Sequence, residues 1–597
     1  MKSIRRLRLV ASGLLTTLAV PIGFGQPAGE PALPLVPAEL KVELFAREPL
    51  IRNPSAMAFD ARGRLFVGQG PQYRNPKPDT PGDTIVILID SNGDGIADSA
   101  KTFAAGLNSI QGLAWHGRDL WIGNSPDLTI VRDLDGDDVA DEYVKVYTDL
   151  GNLEHGNHGH TWAPDGKLYF SHGTSKGLTQ PGRIAPKPFR DLWDVKAPAG
   201  SPDFPPPQVF RREDYKATYQ DPRDDWGREG GVLRCDDMGV NLEIVARGMR
   251  NPWDVAFDSG FNWLGTDNDQ SEGDRVFMPF FGAHFGWGHV WSNHWTGKDH
   301  APTAPISGPV FDGSGTGIIY YDSPHLPAEY RGVWFFNDWL RKTTFVYRPR
   351  WDGALIQPEG GRWQPFVRGG GAGRAVSAYG GGRESGAPAL PSSLFRPVDI
   401  VVGPDGALYI TGWGEELGVV WKDGQQANEG RVFRVSWPEA PAAKWNTAKR
   451  GKPLTDWTFD ELTADLGSLL PVWSIDAQDE LVRRGPAVKN ELIALLRRGG
   501  LPQAQETWAL WTLGRIAPAD RSIEAWFTET GRTLSPNARI QSIRIAAHRI
   551  REHRPADRLP EHVVATLKDP EPRMRFAAVQ AIAQARQQHL VPQLSVL

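Results

Sequence analysis

One pattern returns six times along the first two thirds of this chain, and it leaves few folds open. A small polar turn, an apolar pair, a second turn and an apolar-aromatic run recur. They appear as NPSAMAFDARGRLFVGQG from Asn53, SIQGLAWHGRDLWIGNS from Ser109, GHTWAPDGKLYFSHG from Gly159 and NPWDVAFDSGFNWLGTD from Asn251. A degenerate copy, YRGVWFFNDW, starts at Tyr330, and RPVDIVVGPDGALYITGWG starts at Arg396. Alternating runs joined by Asp-Gly pairs, as at Asp165-Gly166 and Asp405-Gly406, are antiparallel hairpins. Six similar hairpins imply radial repetition rather than a two-layer sandwich, so an all-β six-bladed β-propeller is expected over 38–437. Composition agrees, because 65 glycines, 49 prolines and 23 tryptophans suit many turns with large side chains between them. The largest insertion, about 176–225, is rich in Pro and charge and is a candidate lid for the mouth of the ring.

After Val435 the period changes. Pro438, Pro441 and Ala442 mark a linker over 438–455, and from about Asp456 the apolar residues take helical spacing. LKDPEPRMRFAAVQAIAQA, from Leu567, resembles one HEAT repeat: Asp569-Pro570 at the inter-helix turn, Arg573 and Arg575 at the helix start, and Ala577, Ala578 and Ala581 for close packing. An all-α HEAT-like solenoid is therefore expected over 456–597, as a module separable from the propeller. From Leu481 onward 18 Lys/Arg stand against 10 Asp/Glu, a balance that solvated helix faces account for, with a docking face for a protein partner on the helical repeats as the alternative. No basic cluster interleaved with aromatics points to nucleic acid. Lys2, Arg5, Arg6 and Arg8 precede an apolar run from Leu9 to Phe24, the form of a signal peptide over 1–25, followed by a Pro-rich spacer over 26–37. That reading implies export, for instance to the periplasm; a retained membrane anchor is the alternative. The single cysteine, Cys235, excludes an internal disulfide, a Cys-x-x-Cys-His haem attachment and a cysteine zinc site.

Three stretches carry candidate chemistry. Asp90, Asn92, Asp94 and Asp98 fall at positions one, three, five and nine of a loop, and Asp133, Asp135, Asp137 and Asp141 repeat that spacing. Such alternation turns oxygens toward one hard cation, with the carbonyls of Ile96 and Val139 at position seven, so two calcium loops of structural role are expected. Lys101 and Val144 replace the glutamate that completes an EF-hand. The second stretch, NLEHGNHGHTWAPDG, holds His155, His158 and His160, which alternation along a strand would divide between two faces. The third, Val245 to Gly288, places an Arg-Asn-Pro turn (Arg250, Asn251, Pro252) beside an acidic loop of Asp267, Asn268, Asp269, Glu272 and Asp274. A guanidinium fork suits carboxylates and carbonyl oxygens, and the oxygen-rich loop suits calcium. Together they suit an anionic quinone.

The run GMRNPWDVAFD…GTDNDQSEGD…GAHFGWG resembles the soluble sugar-dehydrogenase propellers that bind pyrroloquinoline quinone. It resembles still more closely a group of bacterial proteins termed membrane-bound dehydrogenases, which join such a propeller to helical repeats and often to a c-type cytochrome. The resemblance implies that His155, nine residues before the Pro of the Pro-Asp-Gly turn, is a general base and that Glu154 orients or polarises it. It implies that Arg250 and Asn251 contact the quinone, and that the main-chain carbonyls of Asp269 and Gln270 hold the cofactor's calcium. The family's glutamine before the second blade falls between Asn108 and Gln111, and its late-blade lysine has no counterpart by alignment. The implied function is oxidation of a sugar or other alcohol, with hydride passed to the quinone and electrons to a separate c-type cytochrome or quinone acceptor. A calcium-braced propeller that binds glycan or protein, and a metal-assisted lactonase, are the alternatives.

Overall fold

The computed structural model describes residues 31–74, 76–174, 185–216, 229–269, 273–287, 303–311, 313–370, 392–422, 425–441, 447–518, 520–530 and 535–594. The expected signal peptide lies outside them. Six sheets form around one axis among these residues, antiparallel throughout except where Ala283–His284 pairs in parallel with Glu243–Met249. Blade one runs Pro54–Phe59, Leu65–Gln69, Asp83–Ile89 and Ser99–Leu107, and blade two Ile110–His116, Asp119–Asn124, Asp127–Arg132 and Glu142–Tyr147. Blade three is Asn157–Trp162, Leu168–His172, Gly230–Cys235 and Glu243–Met249; blade four has three strands, Pro252–Phe257, Trp263–Asp267 and Arg275–Phe277. Blade five is Gly315–Tyr321, Val333–Asp338, Thr343–Tyr347 and Gln364–Arg368. Blade six takes Pro397–Val402, Leu408–Gly412 and Arg431–Ser436, and its outermost strand is Lys41–Arg47 from the N-terminal end. The first strand of each blade packs on the first strand of the next, and blade six on blade one, which closes the ring. Closure removes the open sheet edges that would otherwise template further pairing.

One blade reading shifts in the structure. The copy read from Tyr330 is the second strand of blade five; its first strand is GTGIIYY, Gly315–Tyr321. Within the 176–225 insertion, Gln208–Arg211 pairs with Glu142–Tyr147 and adds a fifth strand to the rim of blade two, while Phe189 packs edge-on against His172 at 5.7 Å, where the second strand of blade three ends.

The helices do not stand apart from the ring. We label them α1 (Pro471–Arg484), α2 (Lys489–Arg498), α3 (Gln503–Ile516), α4 (Arg521–Thr530), α5 (Pro536–His553), α6 (Glu561–Ala565) and α7 (Pro572–Gln584). Pro at the first turn starts α1, α5 and α7, and Ser535 caps α5 by accepting from the Ala538 N–H. Helices α1, α3, α5 and α7 pack successively in a row, with Ala577, Ala578 and Ala581 buried where α7 meets α5. That row lies against one end of the propeller and hydrogen-bonds the turns between first and second strands of four blades. Trp473 Nε1 donates to the Ala61 carbonyl (2.9 Å), the Gly117 N–H to Asp476 (2.8 Å), Gln478 to the Pro164 carbonyl (2.8 Å) and Gln541 to the Gly260 carbonyl (2.7 Å). Leu470, Val472 and Trp473 share a hydrophobic cluster with Phe59, Trp115 and Tyr409, and Trp511 one with Phe261 and Trp263. The expected linker contains a helical turn, Thr447–Arg450, whose Lys449 is buried against Asp465 at 2.6 Å. Among the described residues no helix is long and apolar enough to cross a membrane.

Candidate active site

The loops between second and third strands, and those leading from blade to blade, open on the end opposite the helices. There Ser55, Gln111, Glu154, Asn251, Ser314 and Val398, each at or just before the first strand of a different blade, line one mouth. Its wall is aromatic: Tyr73 meets Trp339 and Trp413 edge-on at centroid distances of 6.0 and 5.3 Å. Burial and the neighbouring Glu154 push the Tyr73 hydroxyl up, so it stays a neutral phenol.

His155 is held from several sides. Its backbone N–H donates to Asn152 Oδ1 (2.8 Å), and its Nδ1 lies 3.1 Å from the Thr174 carbonyl and 3.0 Å from the Thr174 hydroxyl. A carbonyl only accepts, so Nδ1 carries the proton and Nε2 the lone pair. Burial, then the Arg250 and Arg74 charges, pull the imidazole down to about 4, which keeps it neutral at pH 7. Gly173 makes the assembly possible: a Cβ there would come within 2.3 Å of Asn251 Oδ1 and 2.7 Å of the His155 Cβ. Asn251 donates its backbone N–H to Asp267 (2.8 Å), while its side-chain Oδ1 is buried without a partner. Arg250 donates to the side-chain oxygen (2.7 Å) and carbonyl (3.2 Å) of Asn268, and Glu154 pairs with Arg74 at 3.3 Å. Glu154 and Asn251 thus line the mouth itself, while His155, beside Asn251 across Gly173, and Arg250, bonded to the mouth residue Asn268, stand next to its lining.

Other residues fall elsewhere. The acidic loop after Asn251 braces the blades. Asp267 accepts from Arg275 (2.6 Å), Asp274 from the Asp269 and Gly315 N–H groups (both 2.8 Å), and the Asp269 carbonyl from the Gly273 N–H (2.9 Å). Gln270 lies outside the described residues. His158 is a structural residue, 3.0 Å from the Pro252 carbonyl and stacked on Trp253 at 4.3 Å. His160 sits deeper in the channel. Gln111 reaches the mouth, donating to Ser109 Oγ (2.6 Å) and the Leu153 carbonyl (2.8 Å), whereas Asn108 is turned to the Ser125 carbonyl (2.6 Å). Lys342, in the loop after the second strand of blade five, is on the mouth's side and pairs with Glu415 at 2.6 Å.

The two expected calcium loops join the third and fourth strands of blades one and two, at the helix-bearing end. Both fold alike. Asp90 accepts from the Gly93 and Gly95 N–H groups (2.7 and 2.9 Å), and Asp133 from those of Gly136 and Asp138 (2.7 and 2.9 Å). Asp94 takes the Ile96 N–H and Asp137 that of Val139 (2.9 and 2.8 Å); Asp98 and Asp141 close the loops onto Ser91 and Leu134 (2.7 and 2.8 Å). Oxygens of Asp133, Asp135 and Asp141 lie within 4.8 Å of one another. Asp138 adopts φ +63° where the first loop has Gly95 at +87°, and its carboxylate is paired with Arg64 at 2.8 Å. Neither loop touches the mouth.

Residues 34–189 match a family model described as a domain of unknown function, DUF7133. No curated protein matches the sequence. Among solved structures, the chain is similar to a glucose dehydrogenase described as an oxidoreductase, from Thermus thermophilus (16% identity, 66% of this chain and 99% of that one, TM-score 0.40). It is similar to the PQQ-bound form of an aldose sugar dehydrogenase from Streptomyces coelicolor (15%, 67% and 100%, TM-score 0.41). It is also similar to the soluble aldose sugar dehydrogenase from Escherichia coli in its apo-form (17%, 67% and 99%, TM-score 0.36). At these identities and scores the likeness assigns no activity, and the propeller rests on its own strand order.

Proposed function

We propose that this chain is an exported, quinone-dependent dehydrogenase of sugars or other alcohols, with pyrroloquinoline quinone as its cofactor. The observation that carries the proposal is the cluster around Gly173: a neutral imidazole with a free lone pair, an orphaned Asn251 oxygen and two guanidinium groups at one aromatic mouth. An aromatic cofactor with several carboxylates matches such a site, since Arg74 at the mouth and Arg250 beside it supply charge and Tyr73, Trp339 and Trp413 supply an aromatic wall. Gln111 and Asn251 would meet its polar edge. His155 would take the hydroxyl proton of the alcohol on Nε2, with Nδ1 held by Thr174 and Glu154 held by Arg74 beside it. When bound, the quinone would accept the hydride that leaves the alcohol carbon.

Calcium belongs to this reading in two places, at the cofactor through main-chain carbonyls near Asp269 and in the two acidic loops as a brace. A separate cytochrome or quinone would receive the electrons. The row of α1, α3, α5 and α7 is read as a HEAT-like solenoid. A lactonase fits less well, because the carboxylates of Asp267, Asp269 and Asp274 are engaged by Arg275 and backbone N–H groups. The test is alcohol-dependent dye reduction by full-length protein supplied with quinone and calcium. Turnover with sugars supports the proposal; quinone bound without turnover of any alcohol overturns it.

A further inference from the structure

Below the mouth the channel opens into a cavity of about 340 Å³, walled by the first strands of the blades and floored by residues 467–474 and the start of α3. Ser55, Gln111 and Trp253 line both spaces and form the partition between them. The lining is chemically one-sided. Asp254, Asp258, Asp322 and Asp399 reach it, and among its described lining residues there is no lysine or arginine. The aromatic residues Trp115, Trp162, Phe257, Tyr320 and Trp508 are among those that line the same space.

Four side chains on this wall carry buried polar atoms without a hydrogen-bond partner: the His160 ring at both nitrogens, 9% exposed, Gln111 Oε1, 3% exposed, and the indole N–H groups of Trp115 and Trp162. Glycines make room for the imidazole, since a Cβ at Gly112 would lie 2.0 Å from its Nδ1 and one at Gly123 2.8 Å from its Cε1. Asp254 accepts from the Ile318 N–H (3.0 Å) and Asp399 from the Met57 N–H (2.6 Å), each across to the next blade. Those bonds fix the carboxylates without neutralising them, and a buried anion lacking a counter-charge is costly. Burial, with Asp399 adding repulsion, holds Asp254 well above the usual carboxylate range, and burial pushes Asp399 up to about 6.

We propose that this lower cavity is a second binding site, for a small organic cation with an apolar body, an alkyl- or arylammonium whose charge meets Asp254 and Asp399 and whose body packs among the rings. Aromatic faces and carboxylates around one space are the chemistry that recognises ammonium groups, and the volume is that of a small-ligand pocket. Gln111 Oε1 offers an acceptor to an N–H donor, and His160, kept neutral by burial at about 3, offers another.

The test is calorimetric titration of the full chain, without added quinone, using 2-phenylethylammonium, its neutral isostere 2-phenylethanol, and phenylacetate. Saturable binding of the cation alone is expected, weakened about tenfold or more by Asp399→Asn, which keeps an acceptor for the Met57 N–H. Leu469→Trp, which fills the cavity from its floor and leaves the blades intact, should abolish binding while preserving the thermal melt. The proposal is overturned if the cation does not bind by about 10 mM, if 2-phenylethanol binds as well, or if Leu469→Trp binds like the wild type.

Discussion

His155 is neutral because burial and two guanidinium groups oppose its protonation, and that sets its pH behaviour. Its folded value, about 4, lies below the ordinary imidazole value, so the lone pair is present throughout neutral pH and is lost only as pH falls through about 4. Dehydrogenase activity should therefore show no His155 limb between pH 6 and 8 (roughly the unperturbed imidazole range) and an acid limb below it; an inflection near 6.5 that disappears in His155→Gln would contradict this. His155→Ala should lower alcohol-dependent dye reduction by about 10²- to 10⁴-fold with the melt unchanged. Arg250→Ala should instead weaken quinone binding, because it removes a charge-assisted fork rather than a proton acceptor. Gly173→Ala is the sharper probe, since its Cβ would strike both His155 and Asn251; a variant with wild-type kinetics would show that their juxtaposition has no bearing on catalysis. The resemblance to sugar-dehydrogenase propellers singled out His155, Glu154, Arg250 and Asn251 in the sequence, and the structure places the four side by side. Gly173 and Tyr73 were not legible in the sequence, because their importance lies in which distant residues they touch.

At the scale of elements, hairpins were readable wherever the first and second strands are joined by a tight turn, as at Gly166 (φ +75°) and Gly406 (φ +83°). Blade five was misread because residues 322–332 separate its first two strands, so periodicity alone attached to the second. Spacing likewise revealed both acidic loops but not their place at the end remote from the mouth, which depends on strand direction. Four oxygen ligands drawn together repel one another without a cation. Chelator should lower the melting temperature, and Asp133→Asn should reduce both calcium content and the chelator effect while leaving quinone affinity intact. An unchanged melt in chelator, with no calcium by metal analysis, would remove the claim.

For the whole molecule, the helices matter as a floor rather than as an appendage. The change of period after Val435 was plain in the sequence, but helical spacing says which residues are apolar, not what they pack on. Trp473 and Trp511 are buried in clusters shared with the blades, and Arg234, Asp165 and Glu243 of blade three are tied to Arg551 of α5. A chain ending at Pro441 should therefore be insoluble or melt well below the full chain, the expected result of uncovering apolar surface; a soluble fragment with the full chain's melt would contradict the shared core. The functional account rests in turn on one end of the ring holding a quinone. Its most direct measurement is an absorption titration of purified full-length protein with pyrroloquinoline quinone and calcium, alongside Arg250→Ala. The account predicts a saturable one-to-one spectrum of bound quinone that the variant loses or weakens. No bound spectrum at saturating cofactor and calcium would contradict it, and the mouth would then be that of a binding propeller.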